Sequence, residues 1–191
     1  MSIISLDALA VKETVRLVAQ LTPADLSRPT PCAEWDLAAL LTHMTVQNRG
    51  FALAAAGLAA DWSTPRIPDP VRSYLASCDQ VIDAFADPDV LNREFELPEI
   101  STVRTFPGSL AIGFHLVDYV VHGWDVATAA GLPFEPSPEV LEATLPLARA
   151  VPPGSPAFAP ALPVPPGADT LTEILLRLGR KVSGGAATKD A

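Results

Sequence analysis

Apolar residues recur every three to four positions in several segments of the chain, which is the spacing of amphipathic helices. The first predicted helix begins near Ser5 and ends before Thr22. Its apolar stripe comprises Leu6, Leu9, Ala10, Leu17 and Val18. Asp36 is placed to cap a second, Ala-rich helix that is predicted to run from Leu37 to about Ala60.

A third helix is predicted to start at Asp69 and Pro70, a capping residue followed by a first-turn proline, and to end before Asp87. Its apolar positions are Val71, Leu75, Cys78, Ile82 and Phe85. From residue 90 to 106 apolar and charged residues alternate, as they do in extended strands. Pro107 and Gly108 then indicate a turn.

A fourth helix is predicted to begin with Ser109 as its cap and to end at Ala130, where Gly131 is a natural C-terminal stop. A fifth helix has Ser137 as its cap and ends by Pro152. The chain is therefore predicted to be all-α.

Residues 152–167 contain seven prolines, which excludes a helix or a central strand and predicts an extended belt or a linker. Because three apolar residues interrupt the prolines, we expect a belt. A last helix is predicted from Asp169 to about Lys181. We expect one helical domain over residues 1–182 and a disordered tail over residues 183–191.

Composition narrows the classes of partner. The 191 residues include 22 Asp and Glu but 13 Lys and Arg, a formal net charge of −9, which makes nucleic acid an unsuitable partner. The first residues lack the pattern of a signal peptide, and no segment has the unbroken apolar length of a membrane span, so a cytoplasmic protein is expected.

Cys32 and Cys78 lie outside any metal-ribbon spacing and are expected to be reduced thiols. The Ala-rich second helix could also pack against a second copy in a homodimer.

Candidate chemistry concentrates in FHLVDYVVHGWD, residues 114 to 125, which holds two of the three histidines. On a helix, Asp118 and His122 are one turn apart and could both bind one metal ion. His43, on an apolar part of the second helix, could complete the set. Two imidazoles and one carboxylate leave coordination positions open, as in catalytic zinc and non-haem iron sites.

Other interpretations of these residues stay open on spacing alone. His43 and His122 could be hydrogen-bonded core residues, and Asp118 could simply pair with His122. His115 shares their helix face, so it could join or replace Asp118, or it could be exposed. Trp124 and Asp125, directly after His122, could pack against the bundle and supply a hydrogen bond to a metal ligand, or they could have ordinary core and surface roles. The sequence contains neither a Gly-rich phosphate loop nor a nucleophile elbow.

Three stretches in combination resemble the DinB-like metal-binding superfamily, in the branch that includes the mycothiol-dependent maleylpyruvate isomerase N-terminal domain. These stretches are PTPCAEWDLAALLTHM at residues 29 to 44, HLVDYVVHGWDVATAAG at 115 to 131 and FAPALPVPPGADTLTEILLRLGR at 158 to 180. The resemblance implies an up-down-down-up four-helix bundle with short extra helices. It also implies one divalent metal ion, zinc in the first place and nickel in the second, bound by His43, Asp118 and His122.

The chain departs from the isomerase pattern in two respects. The isomerases have Glu where this chain has Asp118, and the shorter side chain would draw the metal toward the helix or require a bridging water. They also carry a C-terminal domain that helps to build the active site, whereas this sequence has about 60 residues after Gly131, many of them in a proline-rich segment. The resemblance therefore implies maleylpyruvate isomerase activity less strongly than it implies metal binding.

Three functions follow as hypotheses. The first is a transferase or isomerase that acts on a small electrophilic metabolite and depends on a thiol such as mycothiol. The second is a non-catalytic protein that binds a metal or a small ligand. The third is a natural-product tailoring enzyme that uses the same pocket, because one fold hosts many chemistries.

Overall fold

The computed structural model describes residues 1–32, 35–155 and 157–182. In these ranges the helices are α1 (Ile3–Val18), α2 (Leu37–Ala55), α3 (Pro70–Phe85), α4 (Gly108–Ala130), α5 (Pro138–Ala150) and α6 (Thr170–Arg177). A 3-10 turn, Val90–Asn92, precedes the short antiparallel strands β1 (Glu94–Phe95) and β2 (Phe106–Pro107). The predicted tail, 183–191, lies outside the described residues. The all-α prediction is confirmed.

The first and last helices of the central bundle, α1 and α4, run in the same direction. Asp7 near the start of α1 contacts His115 in the first half of α4. Farther along α1, Thr14 lies beside Gly123, which is later in α4. Contacts that advance together along both helices require a parallel pair.

Helix α2 runs opposite to α4. Asn48, late in α2, hydrogen-bonds His115, whereas His43, earlier in α2, packs against His122, which is later in α4. This reversal brings the middle of α2 beside the second half of α4. The predicted ligand residues lie at that crossing.

Helix α3 runs parallel to α2, because Asn48 contacts Cys78 and, farther on, Phe51 contacts Phe85. Together the four directions give the up-down-down-up topology that the family resemblance implies. The long connection between α2 and α3 is required by this topology, since a parallel neighbour cannot be reached by a tight turn.

Side-chain caps begin four of the helices where the sequence indicates. The capping residues are Asp36 of α2, Asp69 of α3, Ser137 of α5 and Asp169 of α6, and each accepts a hydrogen bond from a backbone N–H three residues later. Such a cap satisfies one of the free amides of the first helical turn. These starts are therefore fixed locally.

Two predicted helix ends are wrong. Helix α2 ends at Ala55 instead of Ala60, and α6 ends at Arg177 instead of Lys181. In each case a glycine in the left-handed conformation follows the helix: Gly57 after α2, with a φ of 70°, and Gly179 after α6, with a φ of 76°. The residue after each glycine donates its N–H to a carbonyl five residues back, which stops the helix.

The start of α4 and one face of α1 also differ from prediction. Ser109 is not a cap: α4 starts at Gly108, whose N–H donates to the carbonyl of Arg93 at 2.7 Å, so the strand leads directly into the helix. Leu9, predicted in the apolar stripe of α1, is 36% exposed, while Val11 is buried. Leu9 and Val11 are two positions apart on the helix and therefore lie on different faces of it.

The proline-rich segment packs against the protein as an extended belt. None of its described residues belongs to a helix or to a β-strand. Phe158 packs on the main hydrophobic core. The amide of Leu162 donates to the carbonyl of Leu176 in α6 at 2.8 Å. Over the described ranges, no helix combines the length and the apolar character needed to cross a membrane.

Candidate metal centre

The structure brings His43, Asp118 and His122 together at the crossing of α2 and α4. One ligand atom from each residue lies within 4.8 Å of the other two. The Nε2 atom of His122 is 3.3 Å from the Oδ1 atom of Asp118, and the rings of His43 and His122 meet edge to face at 5.2 Å between centroids. Two imidazoles and one carboxylate thus face a common point. Their role as metal ligands stays a prediction.

Local sequence explains how each side chain reaches this point. Asp118 and His122 are separated by four residues on α4, so they project from the same side of the helix one turn apart. On α2, the buried residues Leu40 and Met44 flank His43 and turn this part of the helix toward the bundle. The antiparallel packing of α2 and α4 then juxtaposes the two helix faces.

His43 is held as a neutral base. Its pKa is lowered from 6.5 to about 4, mainly by burial; the charge of Asp118 opposes this shift, and the nearby His122 and Arg180 add to it. The indole of Trp35 covers the ring of His43 at 4.7 Å between centroids. A neutral imidazole is the form that binds metal ions.

His122 is held from its other nitrogen by a buried carboxylate. Its Nδ1 atom is 3.0 Å from Oδ2 of Asp125, which is fully buried. The same oxygen accepts a hydrogen bond from Nη2 of Arg180 at 2.8 Å. Burial alone would raise the pKa of Asp125, but the hydrogen bonds from His122 and Arg180 outweigh it, and the pKa lies below its usual value.

Arg180 is the site residue that sequence reasoning missed. It is 4% exposed and lies 55 positions from its partner Asp125 in the chain. A signal was present, because Arg180 follows the apolar run of α6 in a segment that contributes to the family resemblance. Its partner, however, depends on how the segment after α6 packs against α4, which no local pattern specifies.

Cys32 forms a second group with His122 and Asp125, whose ligand atoms also lie within 4.8 Å of one another. Burial raises the pKa of the Cys32 thiol, and the positive charge of Arg180 only partly offsets this. The thiol is therefore not activated as a nucleophile. Asp125 is already paired with Arg180, which makes this group a poorer cation site than the first.

His115 is neither exposed nor close enough to join the cluster of His43, Asp118 and His122. It is fully buried, with Nδ1 2.8 Å from Asp7 and Nε2 3.1 Å from Asn48. Among the described residues, neither group of candidate ligands contains it. The interpretation of His115 as an exposed histidine is wrong, and it is a hydrogen-bonded core residue.

An open cleft of about 850 Å³ adjoins the cluster. His43 and Trp35 form part of its wall, and residues 64–68, which include Pro65, Ile67, Pro68 and Arg66, also line it. A small molecule in this cleft would lie against the ring of His43. Concave sites with apolar walls and a few polar groups are typical of small-molecule binding.

An up-down-down-up helical bundle with this arrangement defines an all-α protein of the DinB-like class. Residues 8–127, more than half of the chain, match the model of the mycothiol maleylpyruvate isomerase N-terminal domain. The chain therefore belongs to the mycothiol maleylpyruvate isomerase N-terminal domain family. The matched region includes His43, Asp118, His122 and Asp125 but ends before Arg180.

The chain is also similar to curated relatives and to solved structures. An uncharacterized protein of Mycobacterium tuberculosis, found in strains CDC 1551 / Oshkosh and ATCC 25618 / H37Rv, is 32% identical over 174 residues, 86% of this chain and 91% of the relative. A histidine-to-alanine mutant of the mycothiol-dependent maleylpyruvate isomerase superposes with a TM-score of 0.59 at 16% identity. A second structure of that isomerase gives 0.54 at 17%. Both matches cover 75% of this chain and 66% of the isomerase, and they show a shared fold.

Proposed function

We propose that the chain binds one divalent metal ion, zinc first and nickel second, through His43, Asp118 and His122, and that this site acts on a small thiol such as mycothiol. The reaction class that we propose is thiol-dependent transfer to, or isomerisation of, a small electrophilic metabolite. The observation that carries the proposal is the convergence of three donor groups within 4.8 Å of one another at the edge of a cleft.

The chemistry of the donor set fits a divalent ion. Burial keeps His43 neutral, and the contact of Asp125 with Nδ1 of His122 leaves Nε2 facing Asp118. Two imidazole nitrogens and one carboxylate oxygen suit zinc and nickel, and three protein ligands leave room for an exogenous one. The chain thus offers an open site of the catalytic type.

The charges around the cluster favour one anionic ligand. Asp118 and Asp125 contribute two negative charges and Arg180 one positive charge, so the protein groups carry a single net negative charge. With a divalent ion the centre becomes monocationic, which a thiolate neutralises. A bound divalent ion lowers the pKa of a coordinating thiol, and this is the chemistry that it would supply here.

The remaining residues bind and orient the reactants. The ring of Trp35 packs on that of His43, and both side chains line the cleft. The guanidinium of Arg66 could pair with an acidic group of the thiol or of the electrophile. Holding both reactants in one cleft supplies proximity, which is the main contribution that a protein makes to a thiol addition.

The test is elemental analysis of protein purified without a histidine tag. We expect near-stoichiometric metal in the native chain and loss of most of it in His43→Ala and His122→Ala. Thr42→Ser is the matched control, since Thr42 is the neighbour of His43 on α2 and bonds only to its own helix. Metal retained in both histidine variants would contradict the ligand assignment.

Thiol dependence is tested next by calorimetry with metal-loaded protein. We expect heat of binding with mycothiol and none after the His122→Ala substitution. Absence of binding with mycothiol and with other small thiols would contradict a thiol-dependent function. Binding without turnover of any electrophile would instead favour a non-catalytic metal- and thiol-binding protein.

A further inference from the structure

We infer that Asp125 and Arg180 are positioning residues for His122: Arg180 holds Asp125, and Asp125 orients the His122 ring so that Nε2 faces His43 and Asp118. The ring orientation is a property of the protein alone. Its effect on metal affinity rests on the proposed function. The inference extends the site beyond the matched region, because Arg180 lies outside residues 8–127.

The contacts form a continuous chain of short polar interactions. Both carboxylate oxygens of Asp125 lie 3.3 Å from Nε of Arg180, and Oδ2 also accepts from Nη2 at 2.8 Å. Because the guanidinium of Arg180 contacts both oxygens, it fixes the plane of the Asp125 carboxylate, as in bidentate arginine–carboxylate pairs. Oδ2 is then 3.0 Å from Nδ1 of His122.

Proton placement follows from the paired charges. A carboxylate that is bound to a guanidinium is ionised and can only accept hydrogen bonds. Nδ1 of His122 therefore donates to Asp125, and Nε2 is the ring nitrogen that is turned toward Asp118. The distance from Nε2 to Oδ1 of Asp118 is 3.3 Å. A hydrogen bond to one ring nitrogen commonly sets which nitrogen is left for a metal.

The C-terminal segment holds Arg180 in place. Its amide donates to the carbonyl of Leu175, and its Nη1 donates to the carbonyl of Leu178, so the arginine is fixed to the end of α6. Gly179 makes this turn at a φ of 76°, and a Cβ there would lie 2.5 Å from the Cβ of Ala159 in the proline-rich belt. The belt and α6 are thereby part of the site.

The burial of this pair argues against a purely structural purpose. Asp125 is fully buried and Arg180 is 4% exposed, and desolvating two charges offsets most of their attraction. A pair of apolar side chains of similar volume would stabilise the packing of this C-terminal segment on α4 at least as well. The orientation that the pair imposes on His122 accounts for a buried ion pair at this position.

The first experiment reads the His122 ring in metal-free protein. Selective ¹⁵N labelling of the three histidines, observed at mildly alkaline pH, reports which nitrogen carries the proton. We expect His122 to be protonated on Nδ1 in the native chain and to shift toward protonation on Nε2 in Asp125→Asn, which keeps the size of the side chain. Arg180→Gln should shift the same signals, and Arg180→Lys should partly restore them.

The matched control is Arg149→Gln. Arg149 also ties α6 to the body of the protein, through an ion pair with Glu173, but it does not contact Asp125. This variant should leave the His122 signals unchanged, which separates a loosened α6 from a lost orientation. Unchanged His122 signals in Asp125→Asn, or protonation of His122 on Nε2 in the native chain, would overturn the inference.

Metal affinity is the second readout. We expect Asp125→Asn to weaken metal binding by about 10–100-fold, the usual effect of removing such a partner of a ligand histidine. In the Asp125→Asn background, Arg180→Gln should have little further effect, because the arginine acts through that carboxylate. If the native protein binds no metal but His122 responds as expected, the proposed function fails and the positioning role stands.

Discussion

The Nδ1 atom of His115 lies 2.8 Å from the Oδ1 atom of Asp7, and the contact joins α1 to α4 in the interior of the bundle. On its other side His115 meets the carboxamide oxygen of Asn48, which also accepts a hydrogen bond from Tyr119 at 2.7 Å. This network links α1, α2 and α4. His115 thus has a structural role, whereas His122 on the same helix faces the candidate metal centre.

Removing Asp7 should therefore affect stability and leave the metal centre unchanged. Asp7→Ala leaves a buried ring nitrogen of His115 without its partner, and such a loss destabilises by about 1–3 kcal/mol. Chemical denaturation measures the change, and elemental analysis should show metal content as in the native chain. His115→Ala should behave in the same way. Loss of metal from either variant in its folded state would contradict the separation of the two clusters.

Gly108 has the least tolerant backbone position near the strand pair. A Cβ at this position would lie 1.9 Å from the carbonyl oxygen of Val90, which cannot move away because it belongs to the backbone. We expect Gly108→Ala to destabilise by about 3 kcal/mol, toward the upper end for overpacking. Thermal or urea unfolding measures the change.

Gly131→Ala is the comparison for that substitution. Gly131 ends α4 at a φ of 71°, and an added Cβ would meet no atom within 4 Å. The penalty is then only that of the left-handed conformation, about 1–2 kcal/mol. Equal effects of the two substitutions would show that Val90 does not restrict Gly108.

Glu173 gives the packing of α6 on α5 a defined dependence on pH. Its carboxylate accepts hydrogen bonds from Arg149 and Arg177, which lower its pKa from 4.5 to about 2. Because the folded-state pKa is the lower one, this stabilisation is complete above pH 4.5 and is lost as pH falls toward 2. Replacing Glu173 with Gln should flatten this part of the stability–pH profile, measured by denaturation. An unaltered slope would contradict the contribution of the ion pair.

Trp35 should report occupancy of the candidate metal centre. Its ring lies 4.7 Å from that of His43 and 6.3 Å from that of His122, centroid to centroid. Cobalt(II) bound by these histidines should therefore quench the fluorescence of Trp35. Trp124, close to His122 in the chain, is present in both variants, so we expect the quenching to decrease more in Trp35→Phe than in Trp62→Phe, whose indole packs instead on Phe51. Equal quenching in both variants would place the bound cobalt elsewhere.

The sequence by itself determined the helical class and most helix starts. Caps such as Asp36 and Asp69 act within one turn, so their effect can be predicted without knowledge of the fold. The spacing of Asp118 and His122 likewise places them on one side of α4 whatever packs against it. The predicted ends of α2 and α6 lie too far along the chain because Gly57 and Gly179, which end these helices in the left-handed conformation, were not predicted as stops.

Only the tertiary structure decided which polar groups meet. His115 and His122 share one helix and similar apolar neighbours, yet one faces Asp7 and the other faces His43 and Asp125. That difference depends on the directions and crossings of α1, α2 and α4, which are set by the packing of distant side chains. The pairing of Asp125 with Arg180 across 55 positions has the same origin. Local patterns fix what a helix can present, and packing fixes what it meets.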